Sequence, residues 1–182
     1  MNMNNRAAWA LACGLFAGLA QAGGAPHSTR PVALQTPVAF AADSAVRDIV
    51  RQQCDLEKTL EADLFEALRA HGRPVDPVAS AETGRVLQVS IERVEGLGGG
   101  AWTGPKFLSV KATLLVDGKF VHNRMALAHS TGFPLNTTCH ALSKDSSDIS
   151  QQIAKWLDDV DGADANSVPA PAPAPAASGA GS

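Results

Sequence analysis

Aromatic side chains are scarce in this 182-residue sequence, which has no tyrosine and only three tryptophans. Its 15 Lys and Arg residues are nearly balanced by 18 Asp and Glu residues, and they form no basic block. Proteins that bind nucleic acids combine basic surfaces with aromatic side chains that stack on the bases. The composition therefore argues against nucleic-acid binding.

The motifs of common catalytic and metal sites are also missing. The sequence has no HExxH, no Cys-x-x-Cys and no Gly-x-Ser-x-Gly elbow. The glycine-rich run GGGAWTGPK (98–106) is not a phosphate loop, because Pro105 separates Gly104 from Lys106 and a strand pattern follows. The histidines lack the spacing of a metal site; they are His27, His71, His122, His129 and His140. We therefore expect a protein that is not an enzyme and that needs no metal and no cofactor.

Residues 1–22 have the pattern of a secretory signal peptide. Arg6 precedes an uncharged apolar run over 7–20, and Ala20-Gln21-Ala22 offers small residues for cleavage. The run is shorter than the roughly 20 residues that span a bilayer. A lipoprotein acylated at Cys13 is the weaker alternative, because Ala10 stands where leucine is preferred. We expect a periplasmic protein with no stable membrane span after the signal is removed.

The other end of the chain, residues 161–182, is rich in proline and alanine. Proline recurs at every second position from Pro169 to Pro175, a pattern typical of an extended, disordered tail. Residues 31–160 between the two ends are enough for a single domain.

Two cysteines remain after removal of the signal, Cys54 and Cys139. In an oxidising compartment, an even pair without a nearby third cysteine favours a structural disulfide over a redox or metal site. Closing a loop of this length stabilises a fold by about 4–5 kcal/mol in the chain-entropy description.

The pattern of apolar residues predicts an α+β fold. The strand pattern over 31–40 is interrupted by Pro37, so it forms either an edge strand or two short pieces. Helical spacing covers 44–71, with a possible break near Cys54, and 74–84 is a connector. Three alternating segments follow over 85–94, 108–116 and 120–130, with an Asp117-Gly118 hairpin turn between the last two. After a loop over 131–147, a short helix over 147–158 ends in acidic residues that oppose its dipole. The order strand-helix-strand-strand-strand-helix predicts a two-layer sandwich, an antiparallel sheet with helices on one face.

The run 98–106 is then a connection between two antiparallel strands. Trp102 is either a lid over the sheet edge or an exposed anchor for a partner, and Lys106 is expected to be solvated. These two residues are the candidate partner contacts.

Four segments together resemble a group of small exported proteobacterial proteins of unknown function. They are Cys54-Asp-Leu-Glu57, the run 98–106, Thr138-Cys139 and Ile153-Ala-Lys-Trp-Leu157. The resemblance covers most of 45–157 and implies no activity. At the level of fold, it implies a domain similar to those of cell-wall synthase activators, the curli secretion lipoprotein and the amino-terminal domain of the Tol translocation protein.

These observations favour a periplasmic protein that binds another envelope component, either a protein or part of the cell wall. The alternative is a carrier of a small ligand or a stress-related periplasmic protein. A third interpretation, a hydrolase, would need a cluster of acid, base and nucleophile that the sequence does not reveal.

Overall fold

The computed structural model describes residues 30–95, 105–130 and 137–167. In these ranges, six strands and three helices follow one another along the chain. Their bounds are Val32–Gln35 (β1), Ala39–Ala45 (β2), Asp48–Gln53 (α1), Leu56–Ala70 (α2), Val75–Val78 (β3), Arg85–Glu95 (β4), Lys106–Val116 (β5), Lys119–Ser130 (β6) and Thr138–Ser167 (α3).

The strands form one sheet in the order β3-β1-β4-β5-β6, with β2 paired to β4 beside this path. The expected α+β architecture is confirmed, but the sheet is mixed and not purely antiparallel. The pairs β4–β5 and β5–β6 are antiparallel, whereas β1–β3, β1–β4 and β2–β4 are parallel. The parallel β1–β3 pair arises because the connection between the two strands includes α1 and α2, and such a crossover returns the chain in the same direction.

The antiparallel half follows the sequence pattern closely. Asp117 and Gly118 both have positive φ, 49° and 72°, as a two-residue hairpin turn requires. Leu87, Val89 and Ile91 in β4, and Leu108, Val110, Ala112 and Leu114 in β5, are buried at every second position, which matches the period of two in the sequence.

The first half of the chain is broken at the two places where the sequence left a break open. The pattern over 31–40 forms two short pieces, β1 and β2, on either side of a cis Thr36–Pro37 bond, and β2 continues to Ala45. The helical pattern over 44–71 breaks beside Cys54 into α1 and α2, because Asp55 has a left-handed backbone (φ 41°) that no helix continues through. The connector expected over 74–84 contains β3.

The last helix is much longer than the 147–158 expected. α3 begins at Thr138, so Cys139 lies in its first turn and not in a loop, and it continues past the expected domain boundary at residue 160. Hydrophobic spacing misses the first turns because Asp145 and Ser146 are buried there. Their polar atoms are paired: Ser130 donates to Asp145, and Ser146 donates to Asp63 over 2.6 Å.

A single core lies between the sheet and helices α2 and α3. Its largest apolar members come from α2 (Leu56, Leu60, Leu64, Leu68), from α3 (Leu142, Ile149, Ile153, Trp156, Leu157) and from the central strands (Leu87, Ile91, Leu108, Val110, Leu114). Within the described ranges, no helix has the length and hydropathy needed to cross a membrane.

Candidate functional site

The last strand, β6, forms one edge of the sheet. It is 12 residues long and pairs with β5 along its length. The amide nitrogen Nε2 of Gln152, on α3, donates a hydrogen bond to the backbone oxygen of Leu127 over 3.1 Å. In an antiparallel strand, the backbone groups of alternate residues point to the same side. Because the oxygen of Leu127 bonds Gln152 on α3, we infer that the backbone groups of Leu127 point away from β5. Those of Met125 and Asn123, at alternate positions, then point the same way.

Four large apolar side chains of β6 are exposed: Phe120 (61%), Val121 (38%), Met125 (50%) and Leu127 (50%). Val121 lies at the register shift, and the cross-strand neighbours of the other three on β5 are Leu115, Lys111 and Ser109. Ala126 and Ala128, which alternate with them, are buried under α3 on the opposite face of the sheet. We call Phe120, Met125 and Leu127 the β6 apolar surface.

The hairpin of β5 and β6 is basic, although the whole chain has a net charge of −3. Between residues 106 and 130 it carries four Lys or Arg residues and a single acid, Asp117. The carboxylate of Asp117 accepts a hydrogen bond from the backbone nitrogen of Gly84 over 2.9 Å. Lys111, Lys119 and Arg124 are exposed, so the β6 apolar surface lies among positive charges.

A polar cavity of about 190 Å³ lies where β6 ends beside the first turns of α3. Its lining includes two imidazoles and two carboxylates, from His129, His140, Asp145 and Asp148. Ser130 donates its hydroxyl hydrogen to Asp145 over 3.1 Å. Burial raises the pKa of Asp145, although the hydrogen bond from Ser130 opposes the rise.

This cavity supports anchoring better than catalysis. The proton of Ser130 is directed to a carboxylate and not to an imidazole, which a serine nucleophile would need as its base. The described residues contain no group of three or more His, Cys, Asp or Glu side chains able to hold a metal ion. The Ser130–Asp145 hydrogen bond joins the end of β6 to α3.

A buried ion cluster holds the other end of α3 and was missed by the sequence analysis. Arg73 donates to Asp161 over 2.6 Å and to Asp158 over 2.8 Å, and Arg85 donates to Asp161 over 2.5 Å. Arg73 and Asp161 are almost fully buried. Burial alone would raise the pKa of Asp158, but hydrogen bonds from His71 and Arg73 hold this pKa below its ordinary value. The sequence did contain a signal of this cluster. Asp158, Asp161 and Asp164 are spaced three residues apart, which places their carboxylates along one side of a helix.

The residues singled out from the sequence lie in different places. Cys54 and Cys139 are joined by a disulfide that spans 85 positions. Lys106 is fully buried, so the expectation that it is solvated is wrong; burial also lowers the pKa of its ammonium group. It pairs with Ser130 across β5 and β6, next to the polar cavity. Trp102 lies outside the described residues.

The comparisons with known proteins show the fold alone. No family model matches the chain, and no curated protein matches it. A solved structure from Xanthomonas campestris, attributed to family DUF330, is 14% identical and has a TM-score of 0.56; the match covers 79% of this chain and 91% of that one. A PelC variant from Paraburkholderia phytofirmans, solved as a dodecamer, is 17% identical with a TM-score of 0.50, over 71% of this chain and 89% of that one.

The fold is therefore one that proteobacteria use in proteins of different names. The expected likeness to cell-wall synthase activators, the curli secretion lipoprotein and the Tol domain stays a prediction.

Proposed function

We propose that this protein is exported to the periplasm and acts there, without catalysis, by binding another envelope component through the β6 apolar surface. The observation that carries the proposal is the exposure of three large apolar side chains along the edge strand, with Met125 and Leu127 adjacent on one face and Phe120 near the hairpin turn. Single exposed apolar residues are common, but a group of large ones at an open strand edge is typical of a binding surface.

The disulfide and the amino-terminal pattern support export. Residues 1–22 read as a secretory signal, and a structural disulfide such as Cys54–Cys139 persists in oxidising compartments. The PelC structure supports binding only as an analogy, because a protein of this fold is a dodecamer there.

A small-ligand carrier is less well supported. The polar cavity of about 190 Å³ is smaller than the roughly 300–1,000 Å³ of typical small-molecule sites, and its lining is mostly polar where such sites are apolar. The hollow of about 490 Å³ between α2 and β3 is a shallow depression on the surface.

Site-specific photocrosslinking in intact cells tests the proposal. A photoreactive residue would replace Leu127 in one variant and Met125 in another, with Lys58 as the control position. Lys58 has an 86% exposed side chain on α2, away from the β6 apolar surface. We expect discrete adducts from the two β6 positions and none of the same mass from Lys58. Adducts that are absent at both β6 positions, or identical at all three, would refute the proposal.

A further inference from the structure

We infer that β6 receives an extended strand from a partner protein, and that one face of this strand is apolar and the other acidic. This inference rests on the proposed function and specifies the partner for the same surface. The incoming strand would continue the sheet beyond β6 by backbone hydrogen bonds, as in other cases of strand addition.

The backbone of β6 is suited to this pairing. The backbone groups of Asn123, Met125 and Leu127 point away from β5, and Gln152 covers the oxygen of Leu127. That side-chain amide is exposed on α3 and can turn away when a strand arrives. β6 contains no proline, and beyond the register shift at Val121 its pairing with β5 is regular over 122–130, so this stretch can template another strand.

The opposite edge of the sheet is protected. β3 has only four residues, and one of them, Pro77, has no backbone N–H to donate. Short strands and prolines are common means of preventing edge pairing. The contrast between the two edges favours β6 as the place where a strand is added.

The side chains of β6 indicate the composition of the incoming strand. Its outer face presents Met125 and Leu127, which an apolar side chain of the partner would cover. Its other face presents Arg124 and His122, both exposed beyond the part that α3 covers. Because successive residues of a strand alternate between faces, the matching sequence alternates apolar with acidic residues.

The chain itself supplies no matching segment. All its Asp and Glu residues lie in the described ranges, so 1–29, 96–104, 131–136 and 168–182 contain none. A second copy of β6 would place side by side two strands that each carry Lys119 and Arg124 and no acid, and like charges oppose such pairing. β3 of a second copy carries Asp76, but it is short and contains Pro77. Charge therefore favours a different protein as the partner.

Binding of two short peptides to the mature full chain tests the inference. One peptide alternates valine with glutamate, and its counterpart alternates valine with lysine; fluorescence anisotropy gives the Kd of each. Hydrogen–deuterium exchange locates the bound peptide. We expect saturable binding of the glutamate peptide, weaker binding of the lysine peptide, and slower exchange confined to peptides covering β6.

A pair of charge reversals provides the matched control. Arg124→Glu should raise the Kd of the glutamate peptide by about 5- to 30-fold, because a favourable cross-strand pair becomes a repulsive one. Lys58→Glu makes the same change of charge on α2 and should change the Kd less than about twofold. Both residues are exposed, so neither substitution disturbs the core.

The inference is overturned if neither peptide binds, if both bind equally well, or if the two reversals have equal effects. Its failure differs from a failure of the proposed function. Crosslinks at Leu127 and Met125 without peptide binding would leave the β6 apolar surface as a docking site and remove strand addition. Absence of the crosslinks would instead remove the proposed function.

Discussion

Replacing Arg73 with methionine should destabilise the fold by about 3 kcal/mol. Arg73 is 1% exposed, and its guanidinium group bonds Asp161, Asp158 and the backbone oxygen of Arg30. Methionine retains the apolar stem and removes the charge. Removal of one partner from a buried ion pair costs about 3–5 kcal/mol, because the other charge stays buried without compensation. We expect the lower end of this range, since Arg85 still contacts Asp161.

Urea unfolding at pH 7, with the disulfide intact, measures this loss. Single domains of this size have unfolding free energies of about 5–15 kcal/mol, so the change is easily resolved. Lys155→Met is the matched control. Lys155 pairs with Asp159 over 3.4 Å on the exposed side of α3, and an exposed pair of this kind contributes less than about 0.5 kcal/mol.

The same variant should alter the dependence of stability on pH. Folding lowers the pKa of Asp158 below its ordinary value of 3.8. Its carboxylate therefore stabilises the fold above that value, and this contribution is lost as the pH falls through the lower pKa of the folded state. Arg73 contributes to lowering this pKa, so Arg73→Met should lose less stability than the wild type between about pH 5 and pH 2.

Two results would refute this account of the cluster. One is that Arg73→Met lowers the unfolding free energy at pH 7 by less than about 1 kcal/mol, or by no more than Lys155→Met does. That result would mean that the buried charges are already screened by solvent. The other is an unchanged pH profile, which would mean that Arg73 does not act on the carboxylate of Asp158.

Three further predictions follow from other parts of the fold. Replacing both Cys54 and Cys139 with serine should lower the unfolding free energy by about 4–5 kcal/mol, measured in urea; a loss below about 1 kcal/mol would contradict this. Native acetylation followed by peptide mass mapping should modify Lys106 more slowly than Lys58, because Lys106 is buried, and equal rates would show that it is accessible. Asp145→Asn should raise the unfolding free energy at pH 7, because burial raises the pKa of Asp145 and the folded state therefore penalises the carboxylate. This gain should shrink as the pH falls and Asp145 becomes protonated, and a gain that does not change with pH would oppose the reasoning.

The elements that were predictable from the sequence depend on local patterns. β4, β5 and β6 follow the alternation of apolar and polar residues, and the turn between the last two needs the positive φ of Asp117 and Gly118. The disulfide partners could be named because only two cysteines remain once the signal is removed.

The remaining elements depend on contacts between distant segments. β3 is four residues long and contains Pro77, and it becomes a strand only by pairing with β1. From the sequence, Asp158 and Asp161 were interpreted as acidic residues at and beyond the end of a helix. Nothing near them in the sequence shows that Arg73 bonds both carboxylates. Likewise, Lys106 is buried where it pairs with Ser130 at the end of β6, and a lysine in a glycine-rich run gives no local sign of this burial.

The anchoring of α3 at both ends explains how the β6 apolar surface can serve as a binding platform. Near its start, Cys139 is bonded to Cys54 between α1 and α2; near its end, Asp161 is held by Arg73 and Arg85. α3 is thereby fixed over the buried face of β5 and β6, where it packs on Ala126 and Ala128. A strand supported in this way has little freedom to lose when a partner binds, so more of the contact energy contributes to affinity. The two anchors therefore connect the stability of the fold to the proposed binding at β6, although neither of them touches the exposed residues.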